Sequence, residues 1–165
     1  METSDLPPGT RIEPNYAGAI YGIIISMTVV ATASKDDSVG PVAVAIWAAV
    51  TSLVFWLVHV YADIVGAGYS TPKEAVKHAR GALRNEWPIV QGGMIPAIAM
   101  LLAAIGLFNE ENASYVAVGA GILALFATGL VIGSKDRRDW GRRILIGAVN
   151  AFFGLLILAL KIFIH

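Results

Sequence analysis

The chain contains no cysteine, which excludes disulfides, thiolate metal sites and cysteine nucleophiles. Charge is also scarce. Only 15% of the 165 residues are Asp, Glu, Lys or Arg, and twelve basic side chains balance twelve acidic ones to a formal net charge of zero. With no basic excess, nothing points to nucleic acid. A Gly-rich phosphate loop, a nucleophile beside a general base and a recognisable carboxylate pair are all missing, so no enzyme chemistry is expected. The three histidines, His59, His78 and His165, are too scattered to make a catalytic metal centre, and no metal or other cofactor is implied. Residues 1–16 hold four charged side chains and three prolines but no apolar core, which reads as a cytoplasmic leader and not as a cleavable signal peptide.

Apolar residues are abundant: 56% of the chain is hydrophobic and the mean hydropathy is +0.68. That balance suits a membrane protein better than a soluble globule. Five long apolar runs stand out, Ala17 to Ser34, Pro41 to Gly66, Pro88 to Phe108, Ser114 to Gly133 and Ile144 to Ile164. Each reaches about the 17–25 residues that a helix needs to cross the hydrocarbon core. Lipid offers backbone groups no partner and the alternation of a barrel strand is absent, so the spans must be helical. The expected fold is an all-α polytopic membrane bundle, a single integral domain over residues 1–165. Gly92, Gly93 and Pro96 weaken the third span and predict a kink near Pro96.

Charge placement orients the bundle. With the N-terminus in the cytoplasm, that side carries Arg11, Lys73, Lys77, Arg80, Arg84, Lys135, Arg137, Arg138, Arg142 and Arg143, leaving only Lys35 and the near-terminal Lys161 on the other. This bias follows the positive-inside rule and puts the C-terminus outside. The expected location is a bacterial plasma membrane. Between the second and third spans, Thr71, Pro72 and Glu74 form a helix-start signature, predicting a short cytoplasmic amphipathic helix over residues 71–86. Its Lys77, Arg80 and Arg84 either meet anionic lipid head groups or simply set topology. Small residues four apart, Gly18 with Gly22, Gly129 with Gly133 and Gly147 with Ala151, are candidates for close helix contact.

Polar residues inside the spans are the candidate functional groups, since a charged Asp at a helix centre costs roughly 2.5–3.5 kcal/mol to insert. His59 lies about 27 Å along the second span at 1.5 Å per residue, toward its cytoplasmic end. Asp63 follows one turn later on the same face, within reach of a hydrogen bond, and Trp56 joins that face. The group reads either as a satisfied interfacial cluster or as the mouth of an ion or proton path. Asn150, deep in the fifth span, is expected to clasp another helix. Tyr16, Tyr21 and Ser26 sit at spacings compatible with one broad face of the first span, as core or as pore lining.

RIEPNYAG before the first span, FWLVH in the second and MIP in the third occur in an order that resembles the small transmembrane potassium channels of bacteria and endolysosomes. The first helix of that family opens Arg-x-x-x-Phe-Ser-Asp. Here Arg11 is followed at the matching positions by Asn15, Tyr16 and Ala17, Trp56 and His59 are similar to the family's Trp-x-x-His, and Ile95 and Pro96 to its apolar-Pro pair. The resemblance implies that the first helices of a homo-oligomer line a pore, braced by a polar network of Arg11, Trp56 and His59; Asn15, in place of the signature, and Asp63, by its proximity to His59 in sequence, are expected to join that network. The family's bulky constriction falls near Gly22, so Tyr21, Ile23 or a shifted residue would have to supply it, and five spans replace the usual six. Two functions are therefore expected. One is a small oligomeric channel-like protein conducting monovalent cations or protons along the first helix, lined by Tyr16, Tyr21, Ile23 and Ser26. The alternative is a structural or accessory membrane subunit that binds a partner or anionic lipid through its basic cytoplasmic loops.

Overall fold

The structure, a computed structural model, describes residues 15–36, 38–68, 71–107, 109–134 and 140–164. Arg11, Lys135, Arg137 and Arg138 lie outside them. Six helices follow in order: α1 Tyr16–Ala33, α2 Pro41–Gly66, α3 Pro72–Asn85, α4 Pro88–Ala104, α5 Glu110–Gly133 and α6 Trp140–Ile164. No strand occurs among the described residues. Five helices are long and apolar enough to cross a membrane. The third of these runs α3 and α4 together, because the backbone stays helical through Glu86 (φ −86°, ψ −6°) and Trp87 (φ −54°, ψ −31°).

The helix ends follow from local chemistry. Asn15 caps α1, its Oδ1 accepting from the Gly18 amide at 2.8 Å. Thr71 caps α3 by accepting from the Glu74 amide at 3.4 Å, with Pro72 in the first turn as expected. Three boundaries differ from the apolar runs by four residues, and both ends of α1 by one. The helix α4 stops at Ala104, short of Phe108, because Gly106 adopts φ +84°. The Gly106 amide then bonds to the Ala103 carbonyl at 2.9 Å and the Leu107 amide to the Leu102 carbonyl at 3.1 Å, a Schellman stop. At the other two, α5 begins at Glu110 and α6 at Trp140, each four residues ahead of its apolar run. Acidic residues suit the positive end of a helix dipole, so EEN extends α5 where hydropathy alone reads a loop. Pro96 lies buried inside α4, which runs on through it.

Helix α1 packs against α2, α4, α5 and α6, while α3 packs on α2. Its Ile23, Met27, Val30 and Ala31 meet Val44, Ala45 and Ala48 of α2, Ala97, Met100 and Ala103 of α4, and Ala117, Val118 and Leu125 of α5. In lipid the association of helices depends on close backbone approach more than on hydrophobic transfer, and small residues permit it. A methyl group on Gly22 would collide with the Ile89 carbonyl of α4, and one on Gly129 would stand 2.6 Å from the Gly147 Cα of α6. Gly133 likewise abuts Arg143, so the expected small-residue positions do mark helix contacts. The outward faces of α2 and α6 expose large apolar side chains, among them Trp47, Leu57, Phe152 and Phe163, as a lipid-facing surface requires.

Candidate functional site

Two groups of polar side chains occupy opposite ends of the bundle. At the α3 end the expected polar network is split among four helices. Asn15 donates from Nδ2 to the Asn85 carbonyl at 3.2 Å and to Glu86 Oε2 at 3.1 Å, tying the start of α1 to the α3–α4 turn. Trp56 donates from Nε1 to the Leu83 carbonyl of α3 at 3.0 Å and meets Trp87 edge-on at 5.2 Å between ring centroids. His59 donates from Nδ1 to the Phe55 carbonyl at 2.9 Å, which leaves Nε2 as the acceptor nitrogen of the neutral ring, and its ring lies 5.8 Å from that of Tyr21.

Asp63 does not pair with His59. It stands 3.5 Å from His78 Nε2, both side chains half-exposed. The i, i+4 spacing made the His59 pairing possible, but α3 folds back along α2 and supplies a histidine from outside that helix. Arg11, the remaining member of the network, lies outside the described residues. These contacts lock α1, α2, α3 and α4 together, as a brace would. Trp56→Phe keeps the ring contact and removes the donor to Leu83, so it is expected to lower stability by about 1 kcal/mol, measured by thermal unfolding of the purified protein in detergent.

The four side chains expected to line a path do not share a face. Ile23 is 1% exposed and Ser26 0%, both enclosed within the protomer, whereas Tyr21 is 53% exposed and Tyr16 half-buried. Five residues turn a helix by about 500°, which sets Tyr21 and Ser26 about 140° apart. No shared pore axis between copies can therefore be lined by all four. Ser26 is unusual in another way. Thr28, Thr32, Ser52 and Thr128 each donate to the carbonyl one turn back at 2.8–2.9 Å, while the enclosed Ser26 hydroxyl has no partner among the described residues. Asn150 is half-buried on α6, and its Nδ2 is enclosed without a partner among the described residues, so that nitrogen makes no clasp to any of them.

The second polar group was not anticipated from the sequence. A cavity of about 390 Å³ opens at the end away from α3, between the α1–α2 linker, α4 and the start of α5. Ser34, Asp36, Glu111, Ser114 and Tyr115 supply its polar lining, and Val39, Val44 and Met100 belong to its apolar lining. Behind Ser114 lies Lys161 of α6, only 2% exposed. Its ammonium donates to the Ser114 hydroxyl and sits 4.3 Å from the centroid of the Tyr115 ring. It forms no ion pair among the described residues. One signal for it was present: Gly147, Gly154 and Lys161 recur every seven residues, and these are the buried positions of α6. A lysine in register with two glycines of a packed stripe belongs inside.

Asp36 accepts from both the amide and the hydroxyl of Ser38, at 2.9 and 2.5 Å. The hydroxyl, then the amide, hold its carboxyl below the usual value of 3.8. A carboxyl whose pKa is depressed on folding contributes stability that is fully present above its unfolded value and is lost as the pH falls through its folded one. Asp36→Ala is thus expected to lower the unfolding midpoint near neutral pH, with the deficit shrinking as the pH is taken toward about 3.

Comparison with protein-family models, with curated proteins and with solved structures finds no match to this chain.

Proposed function

We propose that the chain is a small channel-like protein of a bacterial plasma membrane, assembled as a homo-oligomer and conducting protons or monovalent cations along α1. The observation that carries this reading is the Ser26 hydroxyl, enclosed at the middle of α1 with no partner among the described residues. Leaving a buried hydroxyl unpaired costs about 1–3 kcal/mol, and water or an ion taking it as a ligand is one physical reason for its retention. The Ser34 hydroxyl, also enclosed and unpartnered, lies further along α1 at the cavity. Asp36 and Glu111 there would concentrate cations, as acidic rings do at cation pores. In this reading the N-terminus and the amphipathic α3 are cytoplasmic, the cavity faces outside, and the route follows the buried side of α1 inside each protomer. The Asn15, Trp56, His59 and Asp63 contacts brace its inner end, in line with the resemblance to the small potassium channels.

The test is flux in liposomes reconstituted with the wild type and with Ser26→Ala. Removing an orphaned hydroxyl should leave the fold as stable or more so, so a loss of proton or potassium flux of tenfold or more at unchanged thermal stability is expected. Equal flux from the two proteins, or none from folded wild type, would falsify the reading.

One observation favours the alternative of an accessory subunit. Lys73, Lys77, Arg80 and Arg84 are all exposed on the fourteen residues of α3, a cationic surface for anionic lipid or an acidic partner. If that surface is the function, replacing all four by glutamine removes retained anionic lipid or a copurifying partner while leaving flux untouched.

A further inference from the structure

The cavity is lined by two carboxylates, and a buried ammonium bonds to one of its lining hydroxyls. Asp36 and Glu111 are exposed and stand at its mouth, whereas Ser114, 7% exposed, forms part of its inner wall with the Lys161 ammonium directly behind it. A hydroxyl that accepts from an ammonium still has its own proton to donate. Ser114 can therefore present that proton to an anion in the cavity, strengthened by the cation it already holds. Glu111 and Ser114 are three residues apart on α5, so their Cβ atoms are separated by about 5–6 Å and one small molecule can span both groups. Val39, Val44 and Met100 offer the same molecule an apolar wall.

We infer that this cavity is a binding site for a small zwitterion, a molecule carrying an ammonium and a carboxylate on one short apolar skeleton. Its carboxylate meets Ser114, backed by Lys161, and its ammonium meets Glu111 and Asp36. A simple cation meets the two carboxylates alone and a simple anion meets Ser114 alone, so only a ligand with both charges makes both sets of contacts. Lys35 and Lys161 both line a second, smaller cleft with Thr28, Thr32 and Leu160. The cavity volume fits a ligand of this size, since small-molecule sites commonly span about 300–1,000 Å³. This inference does not depend on conduction, because binding is measured without a membrane gradient.

The test uses the purified full chain in detergent, with L-alanine, L-valine and glycine betaine as probes and acetate and methylammonium as single-charge controls, each at about 10 mM. At least one zwitterion is expected to raise the unfolding midpoint by several degrees while neither control does. Lys161→Met, which keeps the shape of the side chain, and Glu111→Gln, on an exposed position, should each weaken that probe tenfold or more in calorimetric titration. Helix content by circular dichroism should match the wild type. No shift with any of the three zwitterions, a shift of equal size with acetate or methylammonium, or full affinity retained in both variants overturns the inference.

Discussion

Gly22→Ala is expected to keep the chain from reaching its native packing. The added methyl would collide with the Ile89 carbonyl oxygen and lie 2.8 Å from the carbonyl carbon of Ile89 and 2.9 Å from the amide of Gly93. All three obstacles are backbone atoms of α4, so no rotamer change can make room and the two helices must separate. Overpacking that side chains can absorb costs about 1–3 kcal/mol, and displacing one backbone from another belongs at or above the top of that range. Because α1 also touches α2, α5 and α6, the displacement spreads through the bundle. The measurement is the yield of monodisperse protein in mild detergent together with its unfolding midpoint. Gly81→Ala is the control: on α3 the new methyl meets nothing within 4 Å, and replacing a helical glycine stabilises by roughly 0.5–1 kcal/mol. A Gly22→Ala protein that unfolds at the wild-type midpoint would refute the α1–α4 crossing described above.

Ser114→Ala is expected to be more damaging than removal of the lysine that Ser114 serves. Without the hydroxyl, the Lys161 ammonium keeps only the face of the Tyr115 ring in an enclosed place, and a buried charge deprived of its hydrogen-bond partner costs about 3 kcal/mol or more. Lys161→Met takes away the charge and keeps the length and the aliphatic packing of the chain, which is neutral or stabilising when the site is only structural. The double variant should recover most of the loss seen in Ser114→Ala alone, since it leaves no charge to strand. That order of three unfolding midpoints is the check. If Ser114→Ala unfolds with the wild type, Lys161 has an alternative partner and the contact is incidental.

Much of the bundle was legible in the residues themselves. The five apolar runs correspond to helices long and apolar enough for a membrane, and Thr71 with Pro72 marked the start of α3. Gly22, Gly129 and Gly133 stood out by spacing and do lie at helix contacts. Hydropathy misjudged the ends for identifiable reasons. It cannot register that Gly106 turns the chain into a Schellman stop, nor that Glu110 and Glu111 extend a helix instead of forming a loop.

The candidate sites were less legible because side-chain partners are decided between helices. His59 and Asp63 are neighbours by helical spacing, yet Asp63 faces His78 because α3 runs back beside α2. Tyr21 and Ser26 both belong to α1, and only its burial on several sides separates an exposed ring from an enclosed hydroxyl. Lys161 looked like a charge near the end of the last span, and the seven-residue recurrence with Gly147 and Gly154 became meaningful once that stripe was seen to face inward.

The sequence by itself determined that this chain is helical and apolar enough to span a membrane five times, because backbone groups in lipid must be satisfied within each span and span length follows from bilayer thickness. Only the tertiary structure decided that α1 packs against four other helices, that the polar contacts of Asn15 and Trp56 reach α3 and that a lysine is buried against Ser114 at the wall of a cavity. Those outcomes depend on which faces meet, and in lipid that choice is made by the close fit of small residues and by polar groups finding partners, neither of which hydropathy along a chain can report.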